Sequence, residues 1–262
     1  MSHRPRKRWG QHFLHDRQAV ARIIDAIAPQ TDDHICEIGP GEGVLTEPLV
    51  AAAGRVDAIE IDRDLAARLP GVVTAADRLH VHVGDALTVD LATLAVGRRL
   101  RLVGNLPYNI STPLLFHLLD QLAWIADMHV MLQREVVERM AAAPGEPARG
   151  RLAVMLQAYC RVESLFRLAP GAFRPPPRVD SAVARLTPLT EPVVQGGQAR
   201  AYADIVRRAF GGRRKTLRRT LAPLLTADAI TGCGVDPGLR PERLTVAEFA
   251  ALAATVAADD AR

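Results

Sequence analysis

The chain has 262 residues, 48% hydrophobic and 24% charged, with a formal net charge of +4. That length suits one large domain or a large and a small one, and the apolar content supplies a full core, which excludes a disordered chain. No run of about 18 apolar residues is present to suggest a membrane span, and the basic start Met1–Trp9 has no apolar segment behind it to suggest a secretory signal.

In chain order, Gln18–Ile27 reads as a helix entered through Asp16, a residue type that caps helix N-termini. Short apolar runs then predict strands at Ile35–Ile38, Val56–Ile61, Leu79–Val83, Leu100–Val103, Met128–Leu132, Val162–Leu168 and Ala182–Leu186. Helical patterns lie between most of them, at Val44–Ala53, Leu65–Leu69, Pro113–Leu122, Arg134–Ala142 and Arg151–Tyr159. Such alternation predicts an α/β fold: a parallel sheet with helices on both faces. Gly171–Val179 breaks the pattern with three consecutive prolines, a stiff extended loop. After Leu186 the pattern is helical, with breaks at Gly211–Gly212 and Gly232–Gly234. The expected division is therefore a catalytic domain over 1–190 with a basic N-terminal arm, and a small all-helical domain over 191–262.

Cys36, Cys160 and Cys233 are scattered and odd in number, the usage of buried thiols in a reducing cytoplasm. His80 and His82 lack a third ligand nearby, so no metal is expected. Of the 33 basic residues, all but Lys7 and Lys215 are Arg. Arg200 to Thr220 holds Arg200, Arg207, Arg208, Arg213, Arg214, Lys215, Arg218 and Arg219 against one acid, Asp204. Arg4, Arg6, Lys7 and Arg8 add charge at the other end. Arg suits bidentate phosphate contact, so both clusters point to a polyanion, with Arg207, Arg208, Arg213, Arg214, Lys215 and Arg218 as candidate RNA contacts.

Two stretches carry chemistry. Glu37-Ile38-Gly39-Pro40-Gly41-Glu42-Gly43 follows the first strand, and Glu60 lies 21 positions after Gly39 at the end of the second. Glycines permit a tight turn against a ligand, and the acid can accept from both ribose hydroxyls. A nicotinamide dinucleotide fingerprint shares these features. Pro40, the early Gly43 and the acid Glu37, which would repel a pyrophosphate and welcome a sulfonium or amino group, favour S-adenosylmethionine instead. Asp85, closing the third strand, can accept from an adenine amine or cap a helix. Asn105-Leu106-Pro107-Tyr108 follows the fourth strand. An amide with acceptor and donors, a rigid turn and a stacking ring form a socket for an amine-bearing base, with Asn105 and the Pro107 carbonyl as the expected acceptors.

With these residues in hand, the chain resembles the KsgA family of rRNA adenine N(6),N(6)-dimethyltransferases over nearly its whole length. Trp9–Leu14 is similar to the family's amino-terminal motif, Asn105–Tyr108 to its catalytic tetrapeptide and Phe173–Ser181 to its proline loop. Arg213–Leu217 and Leu239–Phe249 are similar to its C-terminal signatures. The resemblance implies a Rossmann-like class I methyltransferase fold and cofactor contacts at His12, Leu14, Gly39, Glu60, Asp85 and Asn105. It implies a catalytic set of Asn105, Leu106, Pro107, Tyr108 and Phe173, with Phe173 packing on the base. The implied reaction dimethylates two adjacent adenosines in a small-subunit (16S) rRNA hairpin near the 3′ end, linked to ribosome biogenesis. The expected protein is a cytoplasmic monomer with no membrane or metal partner. His12 stands where many members carry Asn, and Trp9 where Phe is commoner. Adenine methylation in large-subunit rRNA, a non-catalytic RNA-binding assembly factor and a nicotinamide oxidoreductase are the competing readings.

Overall fold

Each apolar run becomes a strand or part of one in the computed structural model, which describes residues 11–212 and 214–260. The strands are β1 (Phe13–Leu14), β2 (His34–Ile38), β3 (Arg55–Glu60), β4 (Leu79–Val83), β5 (Leu100–Asn105), β6 (Ile125–Gln133), β7 (Cys160–Leu168), β8 (Phe173–Arg174) and β9 (Ser181–Pro188). The helices are α1 (Arg17–Ile27), α2 (Thr46–Ala52), α3 (Arg63–Arg68), α4 (Ser111–Leu119), α5 (Arg134–Ala141), α6 (Arg151–Gln157), α7 (Ala199–Ala209), α8 (Leu217–Thr220), α9 (Ala227–Gly232) and α10 (Val246–Asp260). Asp16 caps α1 as its sequence position predicts, accepting the Gln18 and Ala19 N–H groups at 2.8 and 3.1 Å.

One sheet runs β4-β3-β2-β5-β6-β9-β7, and β1 pairs with β8 in a separate ribbon. β4, β3, β2, β5 and β6 are parallel neighbours, whereas β9 lies antiparallel to β6. The sheet is thus mixed rather than purely parallel. The 172–180 loop reverses the chain without a crossover helix, so β9 re-enters in the opposite sense. β2 is buried at every position, as a central strand covered on both faces must be. Ala19, Ile23 and Ile27 of α1 and Leu49 and Val50 of α2 pack over Ile35, Val56, Ala58 and Val103 on one face of the sheet.

The chain forms two units, Met1–Val137 with Glu163–Pro188, and Glu138–Val162 with Leu189–Arg262. The break after Pro188 falls beside the expected 190/191 boundary, but 138–162 joins the C-terminal helices. Its bonds explain why. Leu189 N–H donates to the Tyr159 carbonyl, Tyr202 O–H to the Val154 carbonyl, and the buried Arg149 guanidinium to the Ala142 and Leu244 carbonyls and Gln157 Oε1. α10 opens with a capping box in which Thr245 and Glu248 satisfy each other's backbone N–H.

Candidate active site

From β2 the chain proceeds outward to β3 and β4, then crosses back to β5 and runs the other way to β6. The strand order reverses between β2 and β5, and a crevice opens beyond the carboxyl ends at such a reversal. Both chemistry-bearing stretches sit there, the glycine loop leaving β2 and Asn105 ending β5, with Ile38 opposite Gly104. Gly104 is required for this approach, since a Cβ would lie 2.7 Å from the Ile38 carbonyl oxygen. Gly41 sits at φ +59°, a conformation that strains other residues, and a Cβ there would press on the Phe13 ring at 3.0 Å.

Among the described residues a pocket at this crevice brings together His12, Leu14, Gly39, Glu60, Asp85, Asn105, Leu106, Pro107 and Tyr108. Gln11, Glu37, Glu42 and Ile61 also line it. Glu60 is 4% exposed, and one of its oxygens accepts the Gly41 N–H at 3.0 Å while the other accepts the Asp62 N–H at 2.9 Å. The carboxylate thereby fixes the glycine loop and keeps a further lone pair on each oxygen. Burial raises its pKa against the lowering effect of those two N–H groups. Asp85 caps no helix: its Oδ1 accepts the Leu87 N–H at 3.0 Å within a tight turn after β4, and the residue lines the pocket.

Asn105 is half-buried, and its Nδ2 donates to the His12 carbonyl at 2.9 Å. The amide's donor half is therefore turned to the protein, and Oδ1 remains an acceptor. The Pro107 carbonyl, expected as the second acceptor, already receives the Ile110 N–H at 3.2 Å. Pro107 begins a tight turn into α4, which commits one lone pair of that oxygen. Among the described residues no hydrogen bond reaches the Leu106 carbonyl, which makes it the open acceptor of the tetrapeptide. The Tyr108 hydroxyl bonds to Ser181 Oγ at 2.6 Å, and burial, opposed by Ser181, raises its pKa. The His12 ring stacks on Tyr108 with centroids 5.6 Å apart and planes 26° off parallel. His12 Nδ1 lies 2.7 Å from the Pro175 carbonyl, which can only accept, so Nδ1 carries the proton.

Phe173 does not join the pocket. It is 2% exposed, opposite Leu14 in the β1–β8 ribbon, and packs with Leu168, Ala172 and Val183 in the core. The proline loop that follows it is the part that reaches the site, through Pro175. Trp9, the basic residues of the arm and Arg213 lie outside the described residues. Arg214, Lys215 and Arg218 are exposed, but Arg207 and Arg208 both engage Asp204, Arg208 at 2.8 Å.

Two buried carboxylates complete the picture, Glu37, whose position the sequence marked but whose burial it did not, and Asp57, which had no sequence-level signal. Glu37 is 2% exposed, and its Oε2 has no hydrogen-bond partner among the described residues. Burial, opposed by the Thr46 hydroxyl and reinforced by Glu60, pushes its carboxyl up to about 7. On the sheet's other face Asp57, fully buried, accepts from His34, from His82 at 2.6 Å and from Arg55 at 2.7 and 3.1 Å. His82 is thus a hydrogen-bond partner of Asp57, and no group of three metal-ligating side chains exists among the described residues. Cys36 and Cys160 are buried free thiols, as expected, and Cys233 is a half-buried one. Among the described residues no helix is long and apolar enough to cross a membrane.

The chain matches the model of the family described as ribosomal RNA adenine dimethylase over residues 2–258. It is 53% identical over 252 residues to ribosomal RNA small subunit methyltransferase A of Pseudomonas aeruginosa, covering 96% of this chain and 94% of that one. It is 53% identical over 250 residues to the protein of that name from Xylella fastidiosa, covering 95% and 94%. Among solved structures it resembles the 23S rRNA methyltransferase ErmE at 26% identity, with a TM-score of 0.75 over 93% of this chain and 99% of that one. A dimethyladenosine transferase from Plasmodium falciparum, 24% identical, shares the fold with a TM-score of 0.74 over 92% and 96%.

Proposed function

The chain belongs to the ribosomal RNA adenine dimethylase family, and from that premise we propose that it transfers methyl groups from S-adenosylmethionine to the exocyclic amines of two adjacent adenosines near the 3′ end of small-subunit rRNA, in the cytoplasm and as a monomer. The observation that carries this reading is the bond from Asn105 Nδ2 to the His12 carbonyl. It presents an amide oxygen, rather than an amide N–H, at the crevice where the fold binds its ligands.

The residues present fit the cofactor. Glu60 has lone pairs for ribose hydroxyls, Asp85 Oδ2 is open to an adenine amine, and the glycine loop admits close backbone approach. When bound, S-adenosylmethionine supplies an electrophilic methyl on a sulfonium.

An adenine amine is a weak nucleophile because its lone pair is delocalised into the ring. Asn105 Oδ1 and the Leu106 carbonyl accept its two N–H groups, holding the nitrogen with its lone pair directed away from the ring. Two preorganised acceptors also stabilise the positive charge that grows on that nitrogen, at no reorganisation cost during the reaction. The Tyr108 ring, held by Ser181 and His12, offers the stacking face, worth roughly 1–3 kcal/mol for an extruded base. No dedicated base is needed, since the methylated ammonium sheds its proton to water or to a carbonyl. Arg214, Lys215 and Arg218, exposed and free of the Asp204 pairing, grip RNA phosphates, so shape places the substrate and the pocket selects the base.

Incubation of purified unmethylated small and large subunits with labelled cofactor, followed by mass spectrometry of the rRNA, tests the proposal. Label confined to adjacent small-subunit adenosines supports it. Label in the large subunit alone, or none, refutes it.

A further inference from the structure

The proline loop between Phe173 and Ser181 is clamped at both ends beside the tetrapeptide. At its start β8 pairs with β1, Phe173 opposite Leu14 and Arg174 opposite Phe13, and the Pro175 carbonyl lies 2.7 Å from His12 Nδ1. At its end Ser181 pairs with Gln133 of β6, the Asp180 carbonyl accepts the Arg134 N–H at 2.9 Å, and Ser181 Oγ meets the Tyr108 hydroxyl at 2.6 Å. Both anchors converge on one ring, since His12 stacks on Tyr108. Between them Pro175, Pro176 and Pro177 each fix φ, so the span is stiff.

This span turns Arg174, Arg178 and Val179 to solvent, while Pro177 is buried. Among the described residues neither Arg174 nor Arg178 has a hydrogen bond or ion pair. The loop's one acid, Asp180, faces Arg134 at 3.9 Å instead. Two idle guanidiniums and an exposed apolar side chain thus stand on a rigid support. Their place is also specific. Glu60 and Asp85 end strands on one side of β5, whereas the loop joins β8 to β9, on the other side of β5 beyond β6. A base that meets Asn105 from the side away from those carboxylates passes this loop.

To reach Asn105 an adenosine must leave its stack, which bares the phosphates on either side of it and opens a gap between its former neighbours. Resting on the reading of this pocket as an adenine methylation site, we propose that the proline loop holds the target nucleotide out: Arg174 and Arg178 bind the flanking phosphates, and Val179 enters the gap left in the stack. The guanidinium fork matches phosphate oxygens, and apolar wedges stabilise unstacked steps in nucleic acids. A wedge already rigid before binding loses little freedom on binding, which is what the double anchoring supplies. Arg214, Lys215 and Arg218 belong to the other unit and recognise RNA by shape, whereas the loop acts on the target nucleotide itself.

Filter binding over a salt series and single-turnover methylation, both on unmethylated small subunits, test this. Val179→Ala should bind within about two-fold of wild type yet methylate about ten-fold more slowly, and Val179→Ile should recover most of that rate. Arg174→Gln combined with Arg178→Gln should lower the slope of log K against log salt by up to about 0.7 per lost phosphate contact, the value for single strands. Arg174→Lys with Arg178→Lys should restore the slope. Tm and S-adenosylhomocysteine affinity should stay at wild-type values throughout, because these side chains are exposed and do not line the cofactor pocket. A photoreactive benzoylphenylalanine in place of Val179 should crosslink to nucleotides flanking the methylated adenosines. A wild-type rate in Val179→Ala, an unchanged slope in the Gln pair, or crosslinks mapping elsewhere in the rRNA overturn the assignment while leaving the adenine site intact. Failure of the wild type to methylate small subunits removes the reading on which the proposal rests.

Discussion

The His12 carbonyl holds the Asn105 side-chain amide at 2.9 Å, and this bond decides which end of the amide faces the substrate. The holder is a backbone atom, so the orientation survives changes of the residue 12 side chain. That side chain acts separately, through Pro175 and the Tyr108 ring.

Removing the imidazole by His12→Ala should therefore weaken catalysis without abolishing it. One half-exposed hydrogen bond is worth about 1 kcal/mol, a loss of roughly five-fold in kcat/KM. His12→Asn restores a donor for Pro175 and should recover part of that loss. Steady-state kinetics of the two variants, with S-adenosylhomocysteine affinity measured alongside, checks this. A loss of several orders of magnitude in the Asn variant would mean that the ring itself takes part in the chemistry.

Asp57 predicts a stability effect remote from the site. Its carboxylate is fully buried beneath His34, His82 and Arg55, whose hydrogen bonds overcome burial and hold it far below the usual carboxylate range. A depressed acid contributes stability above its unfolded pKa of about 4 and loses it as pH falls toward the native value. Wild-type Tm should be level down to about pH 5 and drop steeply below about 4. Asp57→Asn should cost about 3–5 kcal/mol near neutrality, because it strands buried donors, and should flatten the acid limb. Thermal melts across that range decide; an acid limb of equal steepness in the variant would assign the loss to other groups.

The basic C-terminal residues differ in availability. Arg207 and Arg208 are already bound to Asp204, and Arg214, Lys215 and Arg218 are not. Neutralising the latter three should lower the slope of log K against log salt for RNA binding by up to about 0.9 per lost phosphate contact. Replacing Arg207 and Arg208 should change it less. Filter binding over a salt series reads both, and the opposite ranking would show that the Asp204 pairs open on RNA.

Local chemistry made much of this legible in the sequence. The glycine loop, Glu60, Asp85 and Asn105 each stand at the end of an apolar run, and strand ends are where such folds place ligands. The capping role of Asp16 follows from residue type alone. What stayed hidden depends on non-local contact. β1 and β8 have two residues each, too few for a periodicity, yet their pairing takes Phe173 into the core and away from the base. The turn bond that the Pro107 carbonyl accepts from the Ile110 N–H is likewise invisible in the tetrapeptide. Arg149 and the His34–Asp57–His82 cluster show no pattern in sequence because their partners lie far along the chain. The 138–162 segment, helical and ordinary in composition, joins the C-terminal unit through bonds no local rule anticipates.

The central claim is that the outward oxygen of Asn105 clamps the adenine amine, and a single-turnover comparison tests it most directly. Wild type and Asn105→Ala are each saturated with cofactor and small subunits, binding is verified by co-sedimentation, and dimethyladenosine is followed by mass spectrometry. Wild type should convert its target in one binding event, while the variant binds RNA normally and reacts at least about 100-fold more slowly. Dimethylation by Asn105→Ala at the wild-type rate would contradict the account.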